Sequence, residues 1–120
     1  MASSKDTLRE RLARYHQIKI SVIGRRSGKI ISIPVWFVLE GEKLYLLPAQ
    51  GSDTQWYQNL LKNRWIRIEA RGVGTEFRAT SLTDAKAVSS VVEKFREKYG
   101  ARDVRRYYLK FDVAVVIRPV

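Results

Sequence analysis

Residues 30–48 read IISIPVWFVLEGEKLYLLP and carry the strongest structural signal of the chain. Apolar side chains occupy both alternating faces of the first ten of these residues, with Phe37 on one face and Trp36 on the other. A strand of this kind must be covered on both sides. Gly41 marks a hairpin turn, and residues 44–47 return as a second strand. This stretch therefore predicts a β-hairpin inside a layered structure.

Other segments add strands around this hairpin. Residues 17–23 and 65–71 alternate between apolar and polar side chains, which is typical of strands with one buried face. A turn containing glycine leads from the second of these into a weaker strand at residues 75–81, and residues 113–117 are apolar on both faces. We expect the following residues to contribute to the core: Ile33, Val35, Phe37, Leu46, Ile66, Ile68, Val113 and Val115.

Helical patterns lie between and around these strands. Helices are predicted at residues 4–15, 54–63 and 83–99, with a short basic helical turn at 102–109. Ser3 and Asp6 resemble a capping box for the first helix, and Asp53 is the predicted cap of the second. The chain therefore predicts an α+β fold, with about six mainly antiparallel strands and two main helices forming a closed or partly closed barrel.

Composition limits the chemistry of this chain. Its 120 residues have the size and hydrophobic content of a single globular domain, which we place at residues 1–120. The sequence contains no cysteine, which excludes disulfides and thiolate chemistry and makes a cytoplasmic location the expectation. No apolar run approaches membrane-spanning length. His16 is the only histidine, which excludes a histidine-rich metal site and makes it an expected structural residue. Redox work would need a bound cofactor.

Charge points to an anionic partner. The formal net charge is +11, which favours nucleic acid, an acidic membrane surface or a phosphorylated small molecule. Residues 24–29 combine two glycines, which permit a tight turn, with the donors of Arg25, Arg26, Ser27 and Lys29. This combination suits phosphate recognition, and its alternative is a solvated hairpin turn that protects a sheet edge.

Four segments, in this order and spacing, resemble the deazaflavin-dependent nitroreductase family. They are IGRRSGK at 23–29, IPVWFV at 33–38, EGEKLYL at 40–46, and WYQNL at 56–60 followed by Lys62-Asn63. The resemblance covers about residues 20 to 72, and that family is related to the flavin-binding, pyridoxamine-phosphate-oxidase-like split barrels. It implies a split β-barrel and a deazaflavin (coenzyme F420) or FMN cofactor. The implied activity is hydride transfer from that cofactor to a small organic acceptor, a quinone or a nitro compound.

Carried over by position, the resemblance implies four groups of cofactor-binding residues and no catalytic acid, base or metal ligand. The phosphate would be held by residues of the basic turn: Arg25, Arg26, Ser27, Gly28 and Lys29. The cofactor would lie beside the strand residues Pro34 and Trp36, and its ring edge would meet backbone groups of four consecutive residues: Leu47, Pro48, Ala49 and Gln50. Trp56 and Asn59 would close the site from a helix.

Several alternatives stay open at this stage. A nucleic-acid-binding barrel is favoured by the charge and by Tyr107 and Tyr108 beside a basic cluster. A non-catalytic flavin or heme carrier is favoured by the implied fold, and the residues do not choose between FMN and deazaflavin. Trp36 and Trp56 are equally explained by core packing. Strands that are apolar on both faces, in a chain with few helices to cover them, predict a homodimer.

Overall fold

Eight strands and four helices make up the part of the chain that the structure, a computed structural model, describes: residues 4–120, with side chains from residue 8. The helices are α1 (Ser4–Leu12), α2 (Gln55–Lys62), α3 (Ala85–Tyr99) and α4 (Ala101–Tyr107). The strands are β1 (Gln17–Ile23), β2 (Ile30–Trp36), β3 (Val38–Glu40), β4 (Lys43–Leu46), β5 (Trp65–Ala70), β6 (Val73–Arg78), β7 (Thr80–Leu82) and β8 (Ala114–Ile117). The side chains of the capping box predicted at Ser3 and Asp6 lie outside what is described.

The strands form two four-stranded sheets. The first has the order β2-β1-β5-β6 and the second β3-β4-β8-β7, and neighbouring strands pair antiparallel in both. The predicted hairpins are confirmed as the β3–β4 and β5–β6 pairs. This architecture confirms the α+β split barrel. None of the described helices is long and apolar enough to cross a bilayer.

Two predicted strands each divide into two, which is why there are more strands than the sequence suggested. The chain leaves the first sheet after Trp36 and enters the second at Val38, so Phe37 lies at a crossing between sheets. The Phe37 N–H donates to Tyr99 Oη at 3.0 Å, and its carbonyl accepts from Lys98 Nζ at 2.7 Å. A second crossing occurs at Ala79, between β6 and β7.

The core has two parts. Side chains from both sheets, with α1 and α2, fill the barrel interior, while α3 and α4 pack on the outer face of the second sheet. Strand β8 serves both parts, since Val115 and Ile117 point into the barrel and Ala114 faces the helices. Most predicted core residues are buried: Phe37, Leu46, Ile66, Ile68, Val113 and Val115. Ile33 and Val35 are half-buried against the barrel.

The beginning of β2 is not covered within one chain. Strand β2 is the edge of the first sheet, and its first two side chains, Ile30 and Ile31, are 63% and 41% exposed. Consecutive strand residues point to opposite faces. The cover that the sequence requires on both faces of this strand is therefore missing at its start in a single chain.

Candidate functional site

Two adjoining clefts, each of about 450 Å³, follow one another along strand β2 and share Ile33 and Trp56 as a common wall. The first cleft is lined by predicted residues of the turn and of α2: Arg25, Arg26, Ser27, Trp56 and Asn59. The second is lined by predicted residues of β2 and of the segment after β4: Pro34, Trp36, Leu47 and Ala49. Trp56 is almost fully buried, so it serves core packing and both clefts at once.

The basic turn is folded back on itself. Gly24 N–H donates to the Lys29 carbonyl at 2.8 Å, and Gly28 N–H donates to the Gly24 carbonyl at 2.9 Å. A Cβ on Gly24 would lie 2.7 Å from Ser27 Oγ, so a larger residue there would displace the serine hydroxyl. Ser27 Oγ also accepts from the Lys29 N–H at 3.2 Å. Three backbone N–H groups are therefore satisfied within the turn, which fixes its shape, and the side chains of Arg25, Arg26 and Ser27 line the first cleft.

Arg25 is bound to α2 by three hydrogen bonds. Asn59 Oδ1 accepts from the Arg25 backbone N–H at 3.0 Å and from its Nη1 at 2.8 Å, and Arg25 Nη2 donates to Gln55 Oε1 at 2.9 Å. Asn59 is only 5% exposed, so its carbonyl needs such donors. Part of the Arg25 guanidinium is thus committed to holding the turn against the helix.

The beginning of α2 faces the first cleft. The prediction that Asp53 caps this helix is wrong, because Asp53 ends a 3-10 turn (Gly51–Asp53) and Thr54 occupies the N-cap position. Thr54 Oγ1 accepts from the Gln50 N–H at 2.8 Å and makes no capping hydrogen bond. Thr54, Gln55 and Trp56 line the cleft. The helix therefore directs backbone N–H groups without a side-chain cap, and the positive end of its dipole, to this region.

Four of the predicted residues line neither cleft: Gly28, Lys29, Pro48 and Gln50. Pro48 is buried, and its carbonyl accepts from the Gly51 N–H at 3.0 Å. The Ala49 carbonyl accepts from the Leu109 N–H at 2.7 Å, and the Gln50 N–H is bound to Thr54. These backbone groups hold the segment itself in place behind the cleft.

The second cleft has an aromatic wall. The Trp36 ring stacks on Tyr99 at 4.2 Å between ring centroids, and Tyr107 meets it edge-on at 5.4 Å. Burial raises the pKa of Tyr99 to about 12 and also raises the pKa of Tyr108, so both phenols are neutral at physiological pH. Burial lowers the pKa of Lys98, which borders this cluster, to about 8.

Hydrogen bonds and ion pairs of Lys110 and Asp112 join the 3-10 turn to the segment before β8, and we call this group of contacts the polar latch. Asp112 accepts from the Ser52 N–H at 2.9 Å and from the Ser52 hydroxyl at 2.5 Å. Lys110 Nζ lies 3.3 Å from Asp53 and 3.5 Å from Asp112. The turn precedes α2 directly, so this latch fixes where the helix begins.

Sequence reasoning missed several residues of the clefts. Thr54 and Gln55 line the first cleft, and Gln17, Tyr107 and Tyr108 line the second. The polar pair Thr54-Gln55 at the start of a predicted helix was a usable signal, because helix N-termini bind anions. The tyrosines lie far along the chain from β2, and the sequence holds no sign of that proximity.

Side chains that could bind a metal ion do not cluster in the described part of the chain. No group of three or more His, Cys, Asp or Glu side chains is placed there to hold a metal ion. His16 lines neither cleft, and its ring centroid lies 6.2 Å from that of Tyr99. This position fits the predicted structural role.

Comparisons with known proteins identify one family and many solved structures of similar fold. The model of the family described as "Uncharacterized protein conserved in bacteria (DUF2255)" matches residues 9–114. No curated protein matches the sequence. An F420-H2 dependent reductase (FDR-A) has 17% identity and a TM-score of 0.67, over 86% of this chain and 94% of its own. A structure described as a domain-swapped dimer has 18% identity and a TM-score of 0.67, over 97% and 100%. HutZ, a heme storage protein from Vibrio cholerae, has 14% identity and a TM-score of 0.70, over 99% and 92%.

Proposed function

The chain belongs to the DUF2255 family of bacterial proteins, and we propose that it is an oxidoreductase that binds a phosphorylated flavin-type cofactor, deazaflavin coenzyme F420 or FMN. One observation carries this proposal: a cationic cleft and an aromatic cleft meet at Ile33 and Trp56. A ligand with a phosphate at one end and a planar ring at the other matches that pair of surfaces. The fold shared with an F420-H2 dependent reductase supports the same proposal.

The first cleft would hold the phosphate. Arg26 lines it, is exposed and has no ion-pair partner among the described residues. Ser27 and the backbone N–H groups at the start of α2 add neutral donors to this charge. Arg25 acts mainly by fixing the turn through Asn59. The residues present therefore fit a phosphate group.

The second cleft would hold the ring. Trp36 and Tyr108 offer apolar surface, and Leu47 adds an aliphatic wall. Both buried phenols stay neutral, so they provide no charge that opposes an anionic ring. A flavin-type cofactor supplies hydride transfer when bound, to a quinone or nitro acceptor in this proposal. The chain's contribution is to orient the ring and to exclude water from one of its faces.

Titration of the purified protein tests this function. FMN, F420 and heme are each added while absorbance and fluorescence are recorded, and saturable binding of FMN or F420 is expected. The reduced complex is then mixed with a quinone or a nitro compound, and rapid reoxidation is expected of a reductase. Binding without reoxidation would leave a carrier function, and failure of both flavin-type cofactors to bind would contradict the proposal.

The Arg26→Ala variant is expected to bind the cofactor more weakly by about 1 to 3 kcal/mol, the range for a hydrogen bond to a charged group. Titration at low salt measures the loss, which should shrink as salt rises because screening already weakens the contact in the wild type. Lys29→Ala should lose less, since Lys29 lines neither cleft. Lys62→Ala, an exposed change of equal charge at the far end of α2, is the matched control. Equal affinity of Arg26→Ala and wild type would remove the phosphate role.

We also propose that the protein is a homodimer through the β2 edge. The exposed Ile30 and Ile31 need cover, and one protein of similar fold is described as a domain-swapped dimer. Light scattering should give twice the 13.9 kDa chain mass. Ile30→Asp should raise the dissociation constant about tenfold or more, because a buried isoleucine contributes about 1.5 to 3 kcal/mol. Leu61→Asp, on α2, is the control, and a monomeric wild type at high micromolar concentration would refute the dimer.

A further inference from the structure

Helix α4 and Leu109 after it expose an apolar tip, Tyr107 and Leu109, beside three arginines of the helix. We call this set the α4 face: Arg102, Arg105, Arg106, Tyr107 and Leu109. Leu109 is 75% exposed, more than any other exposed large hydrophobic residue in the described part of the chain, and Tyr107 is 52% exposed. Leu109 and Tyr107 lie two positions apart, so the two together place exposed apolar surface at one point of the chain. None of its residues contributes to the cationic first cleft, and Tyr107 is the residue that it shares with the second cleft.

The backbone that carries this tip is anchored to the core. Val104 and Tyr108 are buried in the core beneath α4, and they anchor the chain on either side of Arg105 and Arg106. The Leu109 backbone N–H donates to the Ala49 carbonyl at 2.7 Å. This bond fixes the backbone of Leu109, so a backbone shift that buried the side chain would break the anchor.

The cations around the tip are not neutralised within the chain. Arg102, Arg105 and Arg106 are exposed, and none has an ion-pair partner among the described residues. Asp103 is the only carboxylate of α4. The Arg106 guanidinium lies 5.5 Å from the Tyr107 ring centroid. Unpaired cations beside an apolar tip are a combination that binds the interface of an anionic bilayer.

We propose that the α4 face docks the protein on the surface of an anionic phospholipid bilayer. The arginines lie at the headgroup phosphates, Leu109 enters the boundary of the acyl chains, and Tyr107 lies at the interface where its ring and hydroxyl are both satisfied. A single-stranded nucleic acid would use the arginines and Tyr107 but would leave Leu109 in water. A second copy of the chain offers 23 basic against 12 acidic residues, which is a poor match for an unpaired arginine cluster.

Vesicle binding tests this docking. The full chain is sedimented with vesicles of phosphatidylcholine alone and of phosphatidylcholine with phosphatidylglycerol, and binding is expected only to the second kind. Leu109→Ser should weaken that binding about tenfold or more, from the loss of one buried leucine. Leu61→Ser removes a leucine that is 43% exposed on α2 and is the matched control, with wild-type binding expected. Arg105→Gln should weaken binding about fivefold, and less at high salt.

Three results would overturn the proposal. The first is no binding of the wild type to anionic vesicles. The second is vesicle binding that Leu109→Ser leaves unchanged, with thermal unfolding showing that the variant is folded. The third is a change of oligomeric state in Leu109→Ser by light scattering, which would assign the face to contact between copies. If the wild type does not bind vesicles but binds a single-stranded oligonucleotide, and Arg105→Gln weakens that binding, the α4 face is a nucleic-acid-binding surface.

Discussion

Replacing Phe37 with alanine is expected to lower the free energy of unfolding by about 3 to 5 kcal/mol, the cost of removing a buried phenylalanine from a packed core. Phe37 is fully buried in the barrel at the point where the chain crosses between sheets. The Lys98 ammonium lies 3.6 Å from its ring centroid, so the change also removes a cation–π contact. Small domains are stable by only about 5 to 15 kcal/mol in total. Urea unfolding followed by tryptophan fluorescence measures the loss.

Phe111→Ala is the control for this change. The Phe111 side chain is 37% exposed, so its removal leaves a smaller cavity, and a loss of less than about 2 kcal/mol is expected. Similar losses for the two variants would show that the crossing at Phe37 is not a centre of the core.

Gly51→Ala is expected to destabilise the protein by about 2 to 4 kcal/mol, from backbone strain and the loss of hydrogen bonds to a carboxylate. Gly51 has a φ of +54°, and a Cβ there would lie 2.1 Å from Asp112 Oδ1. The carboxylate must then move away from Ser52, which opens the latch. Because the latch fixes the start of α2, cofactor affinity should fall as well. Thermal unfolding and cofactor titration measure the two effects.

Gly41→Ala separates strain from collision in this prediction. Gly41 also has a positive φ of +60°, but a Cβ there meets no atom within 4 Å. Only the strain of the left-handed conformation remains, and the expected cost is about 1 kcal/mol. Equal costs at Gly41 and Gly51 would mean that Asp112 moves freely and that the latch holds nothing.

Local patterns predicted the strands but not their division between sheets. Alternation located β1 and β5 to within a residue, because one face of each is buried. No glycine or proline marks the crossing at Phe37. The backbone of Phe37 is instead satisfied by the side chains of Lys98 and Tyr99, which lie some 60 positions later in the chain. A break that is stabilised from so far along the chain leaves no trace in the pattern around it.

The candidate site was predictable where it is local in sequence. The basic turn and the following helix were both singled out, and the structure brings Arg26 and Trp56 to one cleft. The commitment of Arg25 to Asn59 was not predictable, because it depends on how the turn meets the helix. Likewise, Tyr107 and Tyr108 reach the second cleft only through the packing of α4.

A single phenol connects three places that are distant along the chain. Tyr99 stacks its ring on Trp36, and its hydroxyl lies 2.6 Å from the His16 carbonyl and within 3.0 Å of the Phe37 N–H. The ring thus supports the aromatic cleft while the hydroxyl holds the strand crossing and the entrance to β1. The aromatic wall of the second cleft and the backbone at the strand crossing are therefore held by the same residue. A substitution of Tyr99 would therefore disturb the cleft wall and the strand crossing together.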